Sequence, residues 1–224
     1  MTRDLLDNII TVIKWIITMK KLISSLTLIA ALCSQQAIAD SEKRIAETLT
    51  MTKQQSLSIN FPVGSLEIEA GDSDQLEIEI DLKPKNSGWF SSSADLSSIT
   101  LDKKITDNKI SLEVDKDDLQ QEWTIRLPRT AALDVHLGVG SIEINNFANS
   151  ADIEVGVGSV RIDTTLDDFK NIQLSSGVGD TRVSGLVNEI KEQRKLVSSE
   201  TEYRGAGQYN LNIEVGVGDI RIRR

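Results

Sequence analysis

The chain has 224 residues, 26% of them charged and 39% hydrophobic, which is ordinary composition for a globular protein of one or two domains. Its 34 acidic and 25 basic residues leave a net charge of −9, which argues against nucleic acid as a partner and disfavours direct attraction to anionic lipid. Aromatic residues make up only 4%, so the core must be filled by Val, Ile and Leu in small repeated layers rather than built around a deep ligand cavity.

Residues 19–39 have the form of a secretory leader. Met19-Lys20-Lys21 supplies the positive start, Leu22 to Leu32 the apolar stretch, and Ala37-Ile38-Ala39 the small-residue signal, with cleavage expected between Ala39 and Asp40. The apolar run is about half of a ~20-residue membrane span. Met19 reads as the true start, because Lys14, Lys20 and Lys21 interrupt the apolar segment from Ile9 to Leu32. The other reading makes Leu5 to Ile17 an amphipathic helix ahead of an uncleaved anchor. Leu32 stands before Cys33, the only cysteine, where lipidation needs a small residue. With residues 1–39 removed, 21 basic and 32 acidic residues remain, a net of −11, and no thiol is left for a disulfide, a nucleophile or a Cys-based metal site. The expected location is the periplasm, or the outside of the cell.

From Asp40 to Gln55 the sequence is polar with scattered Ile45 and Leu49, and reads as a short helical or irregular lead-in. Longer alternating segments, Gln75 to Leu82, Lys109 to Val114 and Glu122 to Leu127, predict an antiparallel sheet with one buried face. Trp123 is expected in the core of the last. The stretch Lys83 to Ser98, with Pro84, Gly88 and a serine run, predicts an exposed loop that carries Trp89-Phe90 as a candidate contact site.

The second half repeats one phrase: an alternating strand, Gly-Val-Gly, Ser or Asp, and a second alternating strand. The copies are Leu133 to Ile144, Ala151 to Ile162, Ile172 to Val183 and Leu211 to Ile222, and Leu57 to Ile68 is an imperfect copy with Pro62 at the first glycine. The anchor glycines Gly140, Gly158, Gly179 and Gly218 are spaced by 18, 21 and 39 residues, so the period is about 20 with one interval doubled. Val187 to Tyr203, inside that interval, reads as a degenerate coil. These signals predict an all-β protein: a short right-handed β-solenoid of coils of about 20 residues, capped by antiparallel strands from the N-terminal half. The expected organisation is a leader (1–39), an N-terminal part (40–131) and the repeats (132–224), continuous with it.

Paired glycines allow positive φ and so make the corners. Five places before the anchor stand Val135, Ile153, Leu174 and Ile213, and four places after it stand Ile144, Ile162, Val183 and Ile222; these are the expected inward positions. The valine between the glycines is expected to be buried in the turn, so that Val157→Asp would be severely destabilising and Arg161→Ala nearly neutral. Three places beyond the anchor stand Glu143, Arg161, Arg182 and Arg221, an outward ladder in which Glu143 can meet Arg161, and the most plausible ligand-facing surface. The chain stops at Arg224 directly after a repeat, which predicts an edge blunted by Arg223 and Arg224 and leaves self-association open.

Gly-Val-Gly-Asp fits neither a nine-residue calcium repeat nor a phosphate loop, since Ser replaces Asp in half the copies and a strand, not a helix, follows. His136, the only histidine, sits on the outer face of a repeat strand with no further His or Cys to complete a triad or metal centre. No cofactor is implied, and no carboxylate pair is singled out for glycoside hydrolysis.

Phe61-Pro-Val-Gly-Ser-Leu-Glu-Ile-Glu-Ala-Gly-Asp72, Ile125-Arg-Leu-Pro128 and the Gly-x-Gly-[Ser/Asp]-x-x-Ile phrases resemble the bacterial putative-adhesin domain family over roughly residues 55–224. The resemblance implies an extracytoplasmic β-solenoid with no catalytic residues to carry over. The expected function is noncatalytic binding or scaffolding in the cell envelope, with an envelope protein or glycan as partner. Two rivals stay open: a polysaccharide-acting solenoid enzyme, and a self-assembling structural element.

Overall fold

Aliphatic and polar residues alternate through nearly every segment, and in the computed structural model each such segment is a strand. The structure describes residues 42–53, 55–85, 96–114, 116 and 118–224. Among them there is no helix, and thirteen strands form one mixed sheet. In chain order they are β1 (Lys43–Thr50), β2 (Ser56–Gly71), β3 (Gln75–Pro84), β4 (Asp102–Ile105), β5 (Lys109–Glu113), β6 (Leu119–Pro128), β7 (Leu133–Phe147), β8 (Ala151–Thr164), β9 (Asn171–Val178), β10 (Thr181–Ser184), β11 (Ile190–Arg194), β12 (Ser199–Arg204) and β13 (Asn210–Arg223). The sheet order is β1-β3-β6-β2-β7-β8-β13-β9-β12-β11, with β10 on β13 and the β4–β5 pair on β2. The leader, its Ala39–Asp40 cleavage site, and Trp89-Phe90 lie outside the described residues.

At the centre, β2, β7, β8, β13 and β9 run parallel and in register, so each inward aliphatic stacks on its counterpart. Ile59, Val135, Ile153, Ile213 and Leu174 form one such column before the corner; Ile68, Ile144, Ile162, Ile222 and Val183 form another after it. All are buried, as the spacing predicts. Each contributes on the order of 1.5–3 kcal/mol of transfer free energy. β5 lies against the first arm of β2 and β6 against its second arm, both parallel, so the two act as one further repeat split by an interruption. On that side β1 pairs antiparallel with β3, β3 with β6 and β4 with β5, so β5 and β6, two of the three strands expected in an antiparallel sheet, have a parallel neighbour in β2 as well as an antiparallel one.

The corner valines do form one column, Val63–Val139–Val157–Val217–Val178. Their side chains, however, face solvent: the last four are 47–48% exposed. Inward residues change parity across the corner, from 133, 135 and 137 to 142 and 144, and the valine falls on the convex side of that switch. The expected severe cost of Val157→Asp is therefore corrected. The glycine beside it carries the constraint instead. Gly158 has φ 153°, and a Cβ there would stand 1.7 Å from the Gly140 carbonyl oxygen of the neighbouring strand.

Three further expectations are corrected. The lead-in is strand β1, because Ile45 and Leu49 alternate with polar residues and lie over β3. Val187 to Tyr203 is no coil but contains an antiparallel hairpin, β11–β12, whose second strand pairs antiparallel with β9. The last repeat is not the last layer: β13 inserts between β8 and β9, so the C-terminal strand is interior and offers no open edge. Asp168, between β8 and β9, accepts hydrogen bonds from the Tyr203 hydroxyl and from the Ala206 amide at 2.8 Å, just ahead of β13. The Tyr203 hydrogen bond holds the Asp168 carboxyl below its usual range against some desolvation, helped by backbone amides; burial, then the same contact, pushes Tyr203 up.

The two ends of the parallel row are finished differently. On the β6 side Trp123 is buried under Phe61, ring centroids 5.8 Å apart, and donates to the Gln121 side chain at 3.0 Å. On the β9 side the inward columns turn polar. Ser176 replaces the aliphatic opposite Val215 and donates to the Gly218 carbonyl at 2.7 Å, while Thr181 and Thr201 share a 2.6 Å hydrogen bond. β11, which ends the row, is lined with Lys191, Glu192 and Arg194, and charges of this kind discourage edge pairing.

Gly158→Ala should cost roughly 2–4 kcal/mol, from a forced positive φ together with overpacking against backbone. Val157→Asp, one residue away, should stay within about 0.5 kcal/mol of the parent. Urea denaturation of both variants checks this; equal losses would contradict the assignment.

Candidate functional site

Two outward faces meet at the valine column. On the first-arm face, register brings Asn60, His136, Glu154, Glu214 and Ser175 into one line across five strands. Beside it runs a line with almost no side chains: Pro62, Gly138, Gly156, Gly216 and Gly177. A Cβ at Gly156 would stand 2.6 Å from the Gly138 carbonyl oxygen, and the same separation recurs at Gly216 and Gly177, so the neighbouring backbones approach too closely for any larger residue. The result is a shallow groove of 820 Å³ with a backbone floor and a polar wall.

His136 stands on that wall, as the sequence places it. Its Nδ1 lies 3.2 Å from Glu154 and its Nε2 3.2 Å from Asp134. Asp134 in turn accepts from Lys109 at 2.7 Å and from Ser58 at 3.2 Å. Burial alone would raise the Asp134 carboxyl, but the Lys109 hydrogen bond and charge, with His136 and Ser58, hold it below its usual value. Each imidazole nitrogen thus has a carboxylate oxygen within 3.2 Å, and the Nδ1–Glu154 contact is a hydrogen bond. Among the described residues, no group of three or more His, Cys, Asp or Glu is placed to hold a metal ion.

On the second-arm face the ladder drawn from the sequence is real in register but not in order. Glu67, Glu143, Arg161, Arg221 and Arg182 stand side by side on β2, β7, β8, β13 and β10. Because β13 is inserted, Arg221 falls between Arg161 and Arg182 and makes three arginines contiguous. Glu143 and Arg161 are direct neighbours yet form no ion pair. Ser141, Glu143, Ser159, Arg161, Asp219 and Arg221 line a concavity of 330 Å³ on this face. Trp123 is in the core and is no docking platform. Sequence reading missed the glycine floor as a surface feature and the Lys109–Asp134 contact; the recurring first glycine was the available signal for the former, and nothing local signals the latter.

The profile of the N-terminal domain of toast_rack, DUF2154, matches residues 34–184. No curated protein matches at a significant level. Among solved structures, the chain is similar to a putative cell adhesion protein from Clostridium sporogenes at 17% identity, covering 81% of this chain and 99% of that one with a TM-score of 0.48. It is also similar to a putative adhesin from Bacteroides fragilis (12% identity, 80% and 97% covered, TM-score 0.27) and to one from Parabacteroides distasonis (12%, 80% and 70%, 0.30).

Because Asp134 is held low in the folded chain, its contribution to stability is full above the unfolded carboxylate value and is lost as pH falls through the folded one. Lys109→Met should move the Asp134 titration upward and shift the onset of acid destabilisation to higher pH. Carboxyl NMR titration reads both forms; an unmoved Asp134 would contradict the stated cause.

Proposed function

This chain belongs to the toast_rack N-terminal domain family, and from that premise we propose that it is a noncatalytic, exported cell-envelope protein, an adhesin-like binding or scaffolding surface on a short right-handed β-solenoid. The coil reading is supported by the connection between β7 and β8. These strands are parallel and in register, yet only residues 148–150 separate them. Parallel neighbours ordinarily need a crossover of about a dozen residues or more, so β7 must double back within its own length. The parity switch and the positive-φ glycine at 140 supply the bend.

The observation that carries the binding reading is the outward display: the same outer positions recur in register on consecutive strands, making long columns of side chains beside a glycine-floored groove. Repeat surfaces of this kind bind extended partners rather than enclose small ones. Export rests on the leader pattern at 19–39 and agrees with a chain that has no thiol beyond Cys33.

Cosedimentation of the expressed chain with insoluble envelope material, with reducing ends assayed in the same tubes, tests this. The chain should pellet with the envelope fraction and release no reducing ends. Failure to pellet would remove the binding reading, and release of reducing ends would replace it with an enzymatic one.

A further inference from the structure

The arginine row on the second-arm face is unlike the other cationic positions of this chain. Arg161 stands directly opposite Arg221, and Arg221 opposite Arg182. At about 4.8 Å between strands, the outer two are about 9.6 Å apart. Like charges directly opposite one another are destabilising unless something relieves them. Elsewhere the protein relieves its arginines with carboxylates: Arg44 with Glu79 and Asp81, Arg126 with Glu77, Arg129 with Asp72, Arg194 with Asp180, Arg223 with Asp163 and Arg224 with Asp167. Among the described residues, Arg161 and Arg182 meet no carboxylate, and Arg221 reaches only Asp219 at 3.7 Å. Arg204 is also without one, but it lies on β12 opposite Asn171, outside the row. In a chain of net charge −9, three adjacent cations, two of them without a carboxylate and the third with one at 3.7 Å, are suited to an external anion.

The groups around the row narrow the class of that anion. Ser141, Ser159, Glu143 and Asp219 line the concavity with Arg161 and Arg221, and side chains of these types can hydrogen-bond hydroxyls. A nucleic acid duplex carries one negative charge per ~1.7 Å, and an anionic bilayer presents a continuous negative plane. Either would press phosphates onto Glu67, Glu143 and Asp219 as well as onto the arginines. A chain with separated carboxylates and hydroxyls between them meets each sign of group with its complement, and the planar guanidinium suits a carboxylate bidentately. We propose that the Arg161–Arg221–Arg182 row binds a linear acidic polysaccharide, its carboxylates on the arginines and its hydroxyls on the flanking serines and acids. This rests on the noncatalytic binding surface proposed above and names its ligand class.

The test is binding of polygalacturonate to the full-length chain by biolayer interferometry, beside dextran, duplex DNA and phosphatidylglycerol vesicles. Polygalacturonate should bind and weaken with salt, and the other three should not bind measurably. The triple variant Arg161→Gln, Arg221→Gln, Arg182→Gln should lose about tenfold or more in affinity while its thermal melt is not lowered, and Arg204→Gln should bind like the parent. Should the triple variant fold poorly, Arg161→Gln and Arg182→Gln singly should each lose about threefold. No binding of polygalacturonate, parent-like binding by the variants, or tighter binding of DNA or vesicles through these arginines would overturn the assignment. Retained pelleting with envelope material in those cases would leave the wider binding reading standing, and its loss in the parent chain would remove both.

Discussion

The fold turns on one steric fact repeated at every corner: a glycine at positive φ lies so close to the next strand that a Cβ would meet backbone oxygen. At Gly64, Gly140, Gly158, Gly218 and Gly179 that separation is 1.7, 1.7, 1.7, 1.6 and 2.0 Å, and the oxygen belongs to Gln121 or to the neighbouring corner glycine. Each corner therefore sets the register of the next. Once the corners are aligned, the aliphatics before and after them fall into common columns, and the outward residues fall into columns of their own. Hydrophobic burial supplies most of the driving force, but the corners decide which residues share it.

The same constraint explains how β13 enters between β8 and β9. It carries a complete phrase, with Val215 and Ile220 buried on either side of its corner, and it pairs with β8 along nearly its whole length. β9 carries Ser176 at the matching place, and β10 carries Thr181, so these are the strands suited to the end of the aliphatic columns. There the β11–β12 hairpin supplies Thr201 to the buried polar contact and Ser199 to the Gly179 carbonyl at 3.0 Å. The row is thus finished by the middle of the second half rather than by the chain's end.

Much of this was legible from residues alone. The Gly-Val-Gly spacing predicts the corner column, and the five-before and four-after positions predict the buried aliphatics. Three points were not legible, for physical reasons. The corner valine has the chemistry of a core residue but the geometry of a convex bend, and periodicity does not register a switch in parity. Val187 to Tyr203 is polar because its strands flank the end layer, and polarity alone did not distinguish a hairpin from a worn repeat. Strand order along a parallel row is a long-range property; Ser176 and Thr181 were its only local trace. The ladder Glu143, Arg161, Arg182, Arg221 was read as a mixed surface, and only the insertion of β13 turns its basic members into one contiguous row.

The proposed function depends on columns: outer side chains repeat on adjacent strands, with an arginine row on one face and a backbone-floored groove on the other. That account requires the corners to lie in the order Val63, Val139, Val157, Val217, Val178. The most direct test is oxidative cross-linking in a Cys33→Ser background. Val157→Cys with Val217→Cys places the pair on adjacent strands about 4.8 Å apart, within disulfide reach, whereas Val157→Cys with Val178→Cys leaves them about 9.6 Å apart, beyond it. The first pair should cross-link within the chain and the second should not; cross-linking of the second pair without the first would contradict the account.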